Sequence, residues 1–210
     1  MIRVIIADDH AIVRQGVKQI LSETTDVTVA GEAADAFDVK SKLSALPCDV
    51  LVLDLSMPGL SGFDLLKDVR HERPALPVLV LSMHPEDQYG MRMLKAGASG
   101  YLNKECVPDQ LVTAIRQIAG GGHYISPNLA AIMADHLYEP SETPAHATLS
   151  DREFQVMYMI AQGKTVSEIA ANLSLSVKTV STYRTRILVK MGLHTNTDIV
   201  HYAISNRLVV

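Results

Sequence analysis

At 210 residues the chain has room for two small domains or one of middling size, and 48% hydrophobic residues supply ample material for a core. Its two cysteines, Cys48 and Cys106, are spaced neither as a zinc site nor as a CxxC pair. No apolar run is long enough for a signal segment or a bilayer span, so we expect a soluble, cytoplasmic chain with no membrane partner. The net charge of -4 hides an asymmetry: residues 1–120 carry 12 Lys/Arg against 16 Asp/Glu, and residues 148–210 carry 7 against 4. An acidic first part and a basic last part imply different partners for the two ends.

The first 120 residues alternate short β-branched runs with helical periodicity. Residues 3–7, 27–31, 50–54, 78–82 and 100–102 predict strands. Val50-Leu51-Val52-Leu53 and Val78-Leu79-Val80-Leu81 are apolar on both faces, as in a covered parallel sheet. Helices are expected over 11–22, 35–46, 62–71, 86–96 and 108–119. Five βα units of this length predict a doubly wound α/β domain with ligands at the C-terminal strand ends. Gly120-Gly121-Gly122 breaks the pattern, a short helix follows near 127–137, and residues 139–146 read as a linker with two prolines.

Beyond the linker the pattern is helical throughout. Ser150 with Glu153, and Thr165 with Glu168, form capping boxes; Thr195 with Asp198 is a third candidate with Asp in place of Glu. Ser176 suits an N-cap and Gly192 a helix stop. Helices over 151–162, 166–173, 177–191 and 196–206 result.

Three carboxylates fall at strand ends: Asp8 and Asp9 after the first strand, Asp54 at the end of the third. With strand order 2-1-3-4-5 these strands are neighbours, and three like charges at one edge need neutralising. A hard divalent cation such as Mg²⁺, held by carboxylates and a carbonyl, is the natural counterion. Lys104 after the fifth strand can balance the cluster and grip a phosphoryl oxygen, and Ser82 at the end of the fourth can donate to it. A carboxylate nucleophile beside a metal and a lysine suits an aspartyl phosphate. Any one of these residues alone would read as a helix cap or a solvated side chain; the set of five does not.

The set Asp8-Asp9, Asp54-Leu55-Ser56-Met57-Pro58-Gly59, Gly62, Ser82 and Lys104 resembles the receiver domain of two-component signalling. The resemblance implies a flavodoxin-like (βα)5 fold in which Asp54 accepts phosphate from a sensor histidine kinase. It further implies direct Mg²⁺ contacts from Asp9, Asp54 and the Ser56 carbonyl, with Asp8 acting mostly through water. Ser82 and Tyr101 would be the switch pair, Tyr101 rotating into space that Ser82 vacates, and Lys104 would bridge to the phosphoryl group. Glu105 stands where many receivers carry proline.

Residues 166–191 read as two helices joined by a tight turn, with Val166, Ile169, Ala170 and Leu173 as one apolar stripe and Val180, Ile187, Leu188 and Met191 as the other. An ordinary helical hairpin would show the same stripes. The opposite face of the second helix carries Lys178, Ser181, Thr182, Thr185, Arg186 and Lys190, a mix of hydroxyls and cations suited to a major groove, or simply to solvent. Leu149-Ser150-Asp151-Arg152-Glu153, Ile160-Ala161-Gln162-Gly163-Lys164, Glu168-Ile169-Ala170 and Ser176-Val177-Lys178-Thr179-Val180-Ser181 closely resemble the LuxR-type helix-turn-helix. With Gly97-Ala98-Ser99-Gly100-Tyr101-Leu102-Asn103-Lys104 they point to the NarL/FixJ subfamily. That resemblance implies base contacts from Ser181, Thr182 and Thr185, phosphate contacts from Lys178, Tyr183, Arg186 and Lys190, and a dimer contact through Ile199, Val200 and Ala203. Arg184 either caps a carboxylate or reaches a phosphate.

The expected organisation is therefore a receiver over 1–120, a linker with a short helix over 121–147, and a four-helix LuxR-type helix-turn-helix domain over 148–210. The expected function is transcriptional control, in which phosphorylation of Asp54 promotes dimerisation and binding to double-stranded DNA half-sites, with RNA polymerase as a further candidate partner. Two readings compete. An aspartyl-phosphate hydrolase would need a general acid-base Asp two residues beyond its nucleophile, where Ser56 stands, so we do not expect an enzyme. A phosphate-independent DNA-binding protein would tolerate a degenerate receiver, and the acidic set here is intact.

Overall fold

The computed structural model describes the chain except residues 58–61, 106–107, 139–143, 174, 207 and 210, and the side chains of 135–138. Pro58, Gly59 and Cys106, and most of the expected linker over 139–146, lie among these residues. The chain divides into two compact units, Met1–Asp135 and His136–Val210.

In the first unit the strands are β1 (Ile2–Ala7), β2 (Val27–Ala33), β3 (Val50–Leu53), β4 (Val78–Ser82) and β5 (Gly100–Asn103). Between and after them run α1 (Ala11–Ser22), α2 (Ala36–Ala45), α3 (Gly62–Glu72), α4 (Glu86–Lys95), α5 (Pro108–Ala119) and α6 (Pro127–Tyr138). The sheet is parallel in the order β2-β1-β3-β4-β5. β3 and β4 are buried along their whole length, which is why their sequences show no alternation. Val4, Ile6, Val50, Val52, Leu79 and Leu81 meet Leu111, Ile115 and Ile118 of α5 in one core cluster. β2 runs two residues beyond its expected end, because a register shift at Val4/Ile5 lets Glu32 and Ala33 continue the ladder with Ile6 and Ala7.

Gly62 shows where the backbone must come close. A Cβ there would lie 2.4 Å from Leu55 Cα, and the Gly62 N–H donates to Leu55 O at 3.2 Å. Only glycine permits this return of the chain to the segment just after Asp54.

The second unit takes in the end of α6, has a 3-10 turn, Ala145–Thr148, partly inside the stretch expected to be linker, and continues as α7 (Asp151–Ala161), α8 (Val166–Asn172), α9 (Val177–Met191) and α10 (Asn196–Ser205). All three capping boxes form, the Thr195–Asp198 pair included. Gly192 ends α9 at φ +65, a left-handed cap that costs glycine nothing. Among the described residues no helix is long and apolar enough to cross a membrane.

Candidate functional site

The sheet itself builds the acidic rim. Ala7 of β1 lies beside Leu53 of β3, so the residues that follow, Asp8 and Asp54, leave adjacent strands at the same level. The ladder runs one step further: Asp54 N–H donates to Ala7 O at 2.8 Å, and Lys104 N–H to Ser82 O at 2.8 Å. These bonds carry the lysine at the end of β5 toward the carboxylates. Its Nζ lies 2.7 Å from Asp8 Oδ2 and 2.9 Å from Asp54 Oδ2.

Asp8 and Asp54 are buried, Asp54 to 1% exposure, whereas Asp9 stands at the surface. Burial pushes the Asp54 carboxyl above its usual range, against the Lys104 ammonium and the Ser56 N–H, which pull it down. Burial alone would lower the Lys104 ammonium, but the Asp8 and Asp54 carboxylates outweigh it and hold its pKa above the ordinary lysine value. Beyond the ion pair, neither Asp54 oxygen has a well-aligned hydrogen bond. A buried carboxylate held by one ammonium keeps acceptor capacity that a cation or a phosphoryl group could use.

Asp8, Asp9, His10 and Asp54 bring ligand atoms within 4.8 Å of one another. Three carboxylates against one ammonium leave net negative charge, and this donor set fits a hard divalent cation. Ser56 is exposed in the loop after Asp54. Ser82 is fully buried, its Oγ accepting from His84 N–H at 3.2 Å.

The Tyr101 ring is turned inward here: it is fully buried, with its hydroxyl donating to His84 O at 2.8 Å.

Sequence reasoning missed two residues. His10 Nδ1 lies 2.8 Å from Asp9 Oδ1 and 3.2 Å from Asp8 Oδ1, and its N–H donates to Asp8 Oδ1. Arg14, one turn along α1, donates from Nη1 to Asp8 O at 2.7 Å and lies near Glu32. Its spacing of four from His10, the N-cap of α1, was the available signal, since it puts both at the strand end.

In the second unit, Val180, Ile187 and Met191 turn α9 inward. Lys178, Ser181, Thr182, Thr185 and Arg186 are exposed and Tyr183 half-buried. Thr182 and Thr185 return their hydroxyls to the carbonyls of Lys178 and Ser181. Lys190 is engaged elsewhere: its Nζ lies 2.6 Å from Oε2 of Glu153, a buried carboxylate that also caps α7. Arg184 neither caps a carboxylate nor stands free, because its Nε donates to the Asn196 side chain at the start of α10. The expected dimer contact needs correction. Ile199 and Ala203 are fully buried where α10 packs on α7, so they offer nothing to a second chain; of the three, only Val200 reaches the surface.

A doubly wound parallel sheet with carboxylates and a lysine gathered at its rim, followed by a helical unit with a polar, basic outer face, defines a receiver joined to a helix-turn-helix module. Comparison with known proteins gives the same division. Residues 4–116 match the response regulator receiver domain, and residues 147–203 match the bacterial regulatory proteins of the luxR family. The chain is 36% identical over 209 residues to the response regulator UvrY of Escherichia coli K12, covering 99% of this chain and 96% of that one. It is 34% identical to the response regulator GacA of Pseudomonas aeruginosa, covering 100% and 98%. Among solved structures it resembles RcsB of Salmonella enterica serovar Typhimurium bound to promoter P1flhDC with phosphomimetic BeF3-, at TM-score 0.72 and 30% identity over 97% of this chain and 98% of that one. The chain belongs to the two-component response regulators of the NarL/FixJ type.

Proposed function

We propose that the chain is a phosphorylation-gated transcription regulator, with a receiver over 1–120, a linker over 121–147 and a DNA-binding domain over 148–210. The observation that carries this reading is the buried Asp54 carboxylate, 2.9 Å from Lys104 Nζ and clustered with Asp8 and Asp9 at the sheet rim. Asp54 attacks the phosphorus of a phosphohistidine on a sensor kinase; the P–O bond forms as the P–N bond breaks, and the imidazole leaves with a proton. Asp9, Asp54 and the Ser56 carbonyl would hold Mg²⁺, with Asp8 acting through water. The bound cation supplies charge neutralisation for the transferring group. Lys104 holds a phosphoryl oxygen, and Ser82 turns its hydroxyl toward another.

In the second unit α9 enters the major groove of double-stranded DNA. Ser181, Thr182 and Thr185 face base edges, and Lys178, Tyr183 and Arg186 reach phosphates. Lys190 joins them only by leaving Glu153. Phosphorylation shifts the population toward a homodimer on two half-sites about 10 bp apart, a spacing of one helical turn. Its surface on α10 includes Val200. The protein acts in the cytoplasm, where chromosomal DNA lies, with RNA polymerase as a candidate partner and no enzymatic turnover of its own. The carboxylates, the Lys104 ammonium and the exposed α9 face support this reading together. A mobility shift on promoter DNA, with and without Mg²⁺ and beryllofluoride, tests it. Binding should tighten with beryllofluoride in the wild type and not in Asp54→Ala; equal binding under all conditions would refute the gating.

A further inference from the structure

The chain leaving α5 does not run straight to the second unit. Tyr124 forms a parallel bridge with Gly100 at the edge of β5, its N–H donating to Ser99 O at 2.8 Å. Ser126 then caps α6 by accepting from Leu129 N–H at 3.0 Å. Leu129 is fully buried, and it lies on Gly90 of α4: a Cβ at Gly90 would sit 3.0 Å from both Leu129 methyl carbons. Glycine inside a helix costs about 1 kcal/mol relative to alanine. Here it leaves a notch that the leucine fills.

The residue before the notch connects it to the acidic rim. Tyr89 is buried, and the His84 ring stacks on it at 4.4 Å with 15° between planes. His84 belongs to the loop just past Ser82. Its N–H donates to Ser82 Oγ, and its carbonyl accepts from Tyr101. Contacts therefore run unbroken from the Ser82 hydroxyl through His84 and Tyr89 to the notch that holds Leu129.

We propose that α6 is clipped to the receiver by Leu129 in the Gly90 notch, and that phosphorylation of Asp54 opens the clip through the His84–Tyr89 stack. The inference rests on the phosphorylation reading above. A phosphoryl group adds up to about two negative charges and three strong acceptors beside Ser82. Drawing the Ser82 hydroxyl toward it disturbs the hydrogen bond from His84 N–H, and His84 carries both Tyr101 and Tyr89. The Leu129 methyls occupy the space that a side chain at Gly90 would need, so a displacement of α4 is passed to Leu129 through packing. Release would free α6 as the start of the connection to the second unit.

Hydrogen exchange over residues 127–135 in the full chain tests this, with bound beryllofluoride followed separately by ¹⁹F NMR. In the wild type, uptake of beryllofluoride with Mg²⁺ should speed exchange in α6 by about tenfold or more, the opening expected from one lost leucine contact. Leu129→Ala should show that fast exchange without beryllofluoride. Gly90→Ala should do the same while raising the helix propensity of α4, which separates release of the clip from unfolding. His84→Ala keeps the backbone contacts and should still take up beryllofluoride, but α6 should no longer respond. Unchanged exchange in α6 of a wild type carrying bound beryllofluoride, or a normal response in His84→Ala, would overturn the clip alone. Absence of any bound fluoride signal would overturn the phosphorylation reading, and the clip with it.

Discussion

The two polar regions of this protein are organised in opposite ways. At the sheet rim Asp8, Asp54 and Lys104 are buried and interlocked at 2.7 and 2.9 Å. On α9 the cations Lys178 and Arg186 are exposed, and the hydroxyls of Thr182 and Thr185 are satisfied by their own helix. A buried cluster is already in place before its ligand arrives, which suits chemistry at a single atom. An exposed helix face keeps its side chains solvated and adaptable, which suits recognition of a long polyanion. Lys190 sits between these regimes, an exposed α9 cation whose Nζ pairs with the buried Glu153 carboxylate.

The comparison is broken most forcefully at Asp54. Asp54→Asn should abolish phosphoryl acceptance in a phosphotransfer assay, a loss of at least about a thousandfold, because no nucleophile remains. The same change should remove the pH-dependent cost of the buried carboxyl, since burial holds its pKa above the ordinary value. The sign follows from the raised pKa. The native state holds this proton more tightly than the unfolded chain, so Asp54 costs stability as pH rises from about 4 through its folded value. Thermal unfolding between pH 4 and 8 should show wild type and Asp54→Asn diverging upward in pH.

Lys190→Ala tests the intermediate case. It removes the exposed ammonium that pairs with the buried Glu153 carboxylate and should cost the second unit about 1 kcal/mol in urea unfolding. Loss of DNA affinity without loss of stability would return Lys190 to the recognition face. Lys178→Ala and Arg186→Ala should instead leave stability within about 0.5 kcal/mol and weaken DNA binding by about tenfold, each reducing the salt slope by about one.

Arg14→Ala sharpens the rim. It removes the donor that holds the Asp8 carbonyl and should weaken Mg²⁺ binding by about tenfold in calorimetry, with little change in the fold. The smallest effect belongs to the surface pair of Arg3 and Asp49, whose bidentate contact holds the Asp49 carboxyl down at about 2. Its stabilisation is complete above the ordinary carboxyl range and is lost as pH falls toward that value. Arg3→Ala should flatten the acid limb of the unfolding curve slightly, and added salt should erase the difference.

Much of this protein was written into local sequence. The β-branched runs and helical periods gave the elements to within a few residues, and the caps gave their ends, because these signals act over three or four neighbours. The positions of Asp8, Asp9, Asp54 and Lys104 in the sequence foretold that these side chains meet, since a parallel sheet gathers strand ends at one edge. Burial and partner choice depended on groups remote in the chain. Nothing near Lys190 announces Glu153, nothing near Ile199 or Ala203 says that they are fully buried, and nothing near Gly90 points to Leu129. Periodicity determines that a helix has two faces; only packing against another element decides which of them meets water.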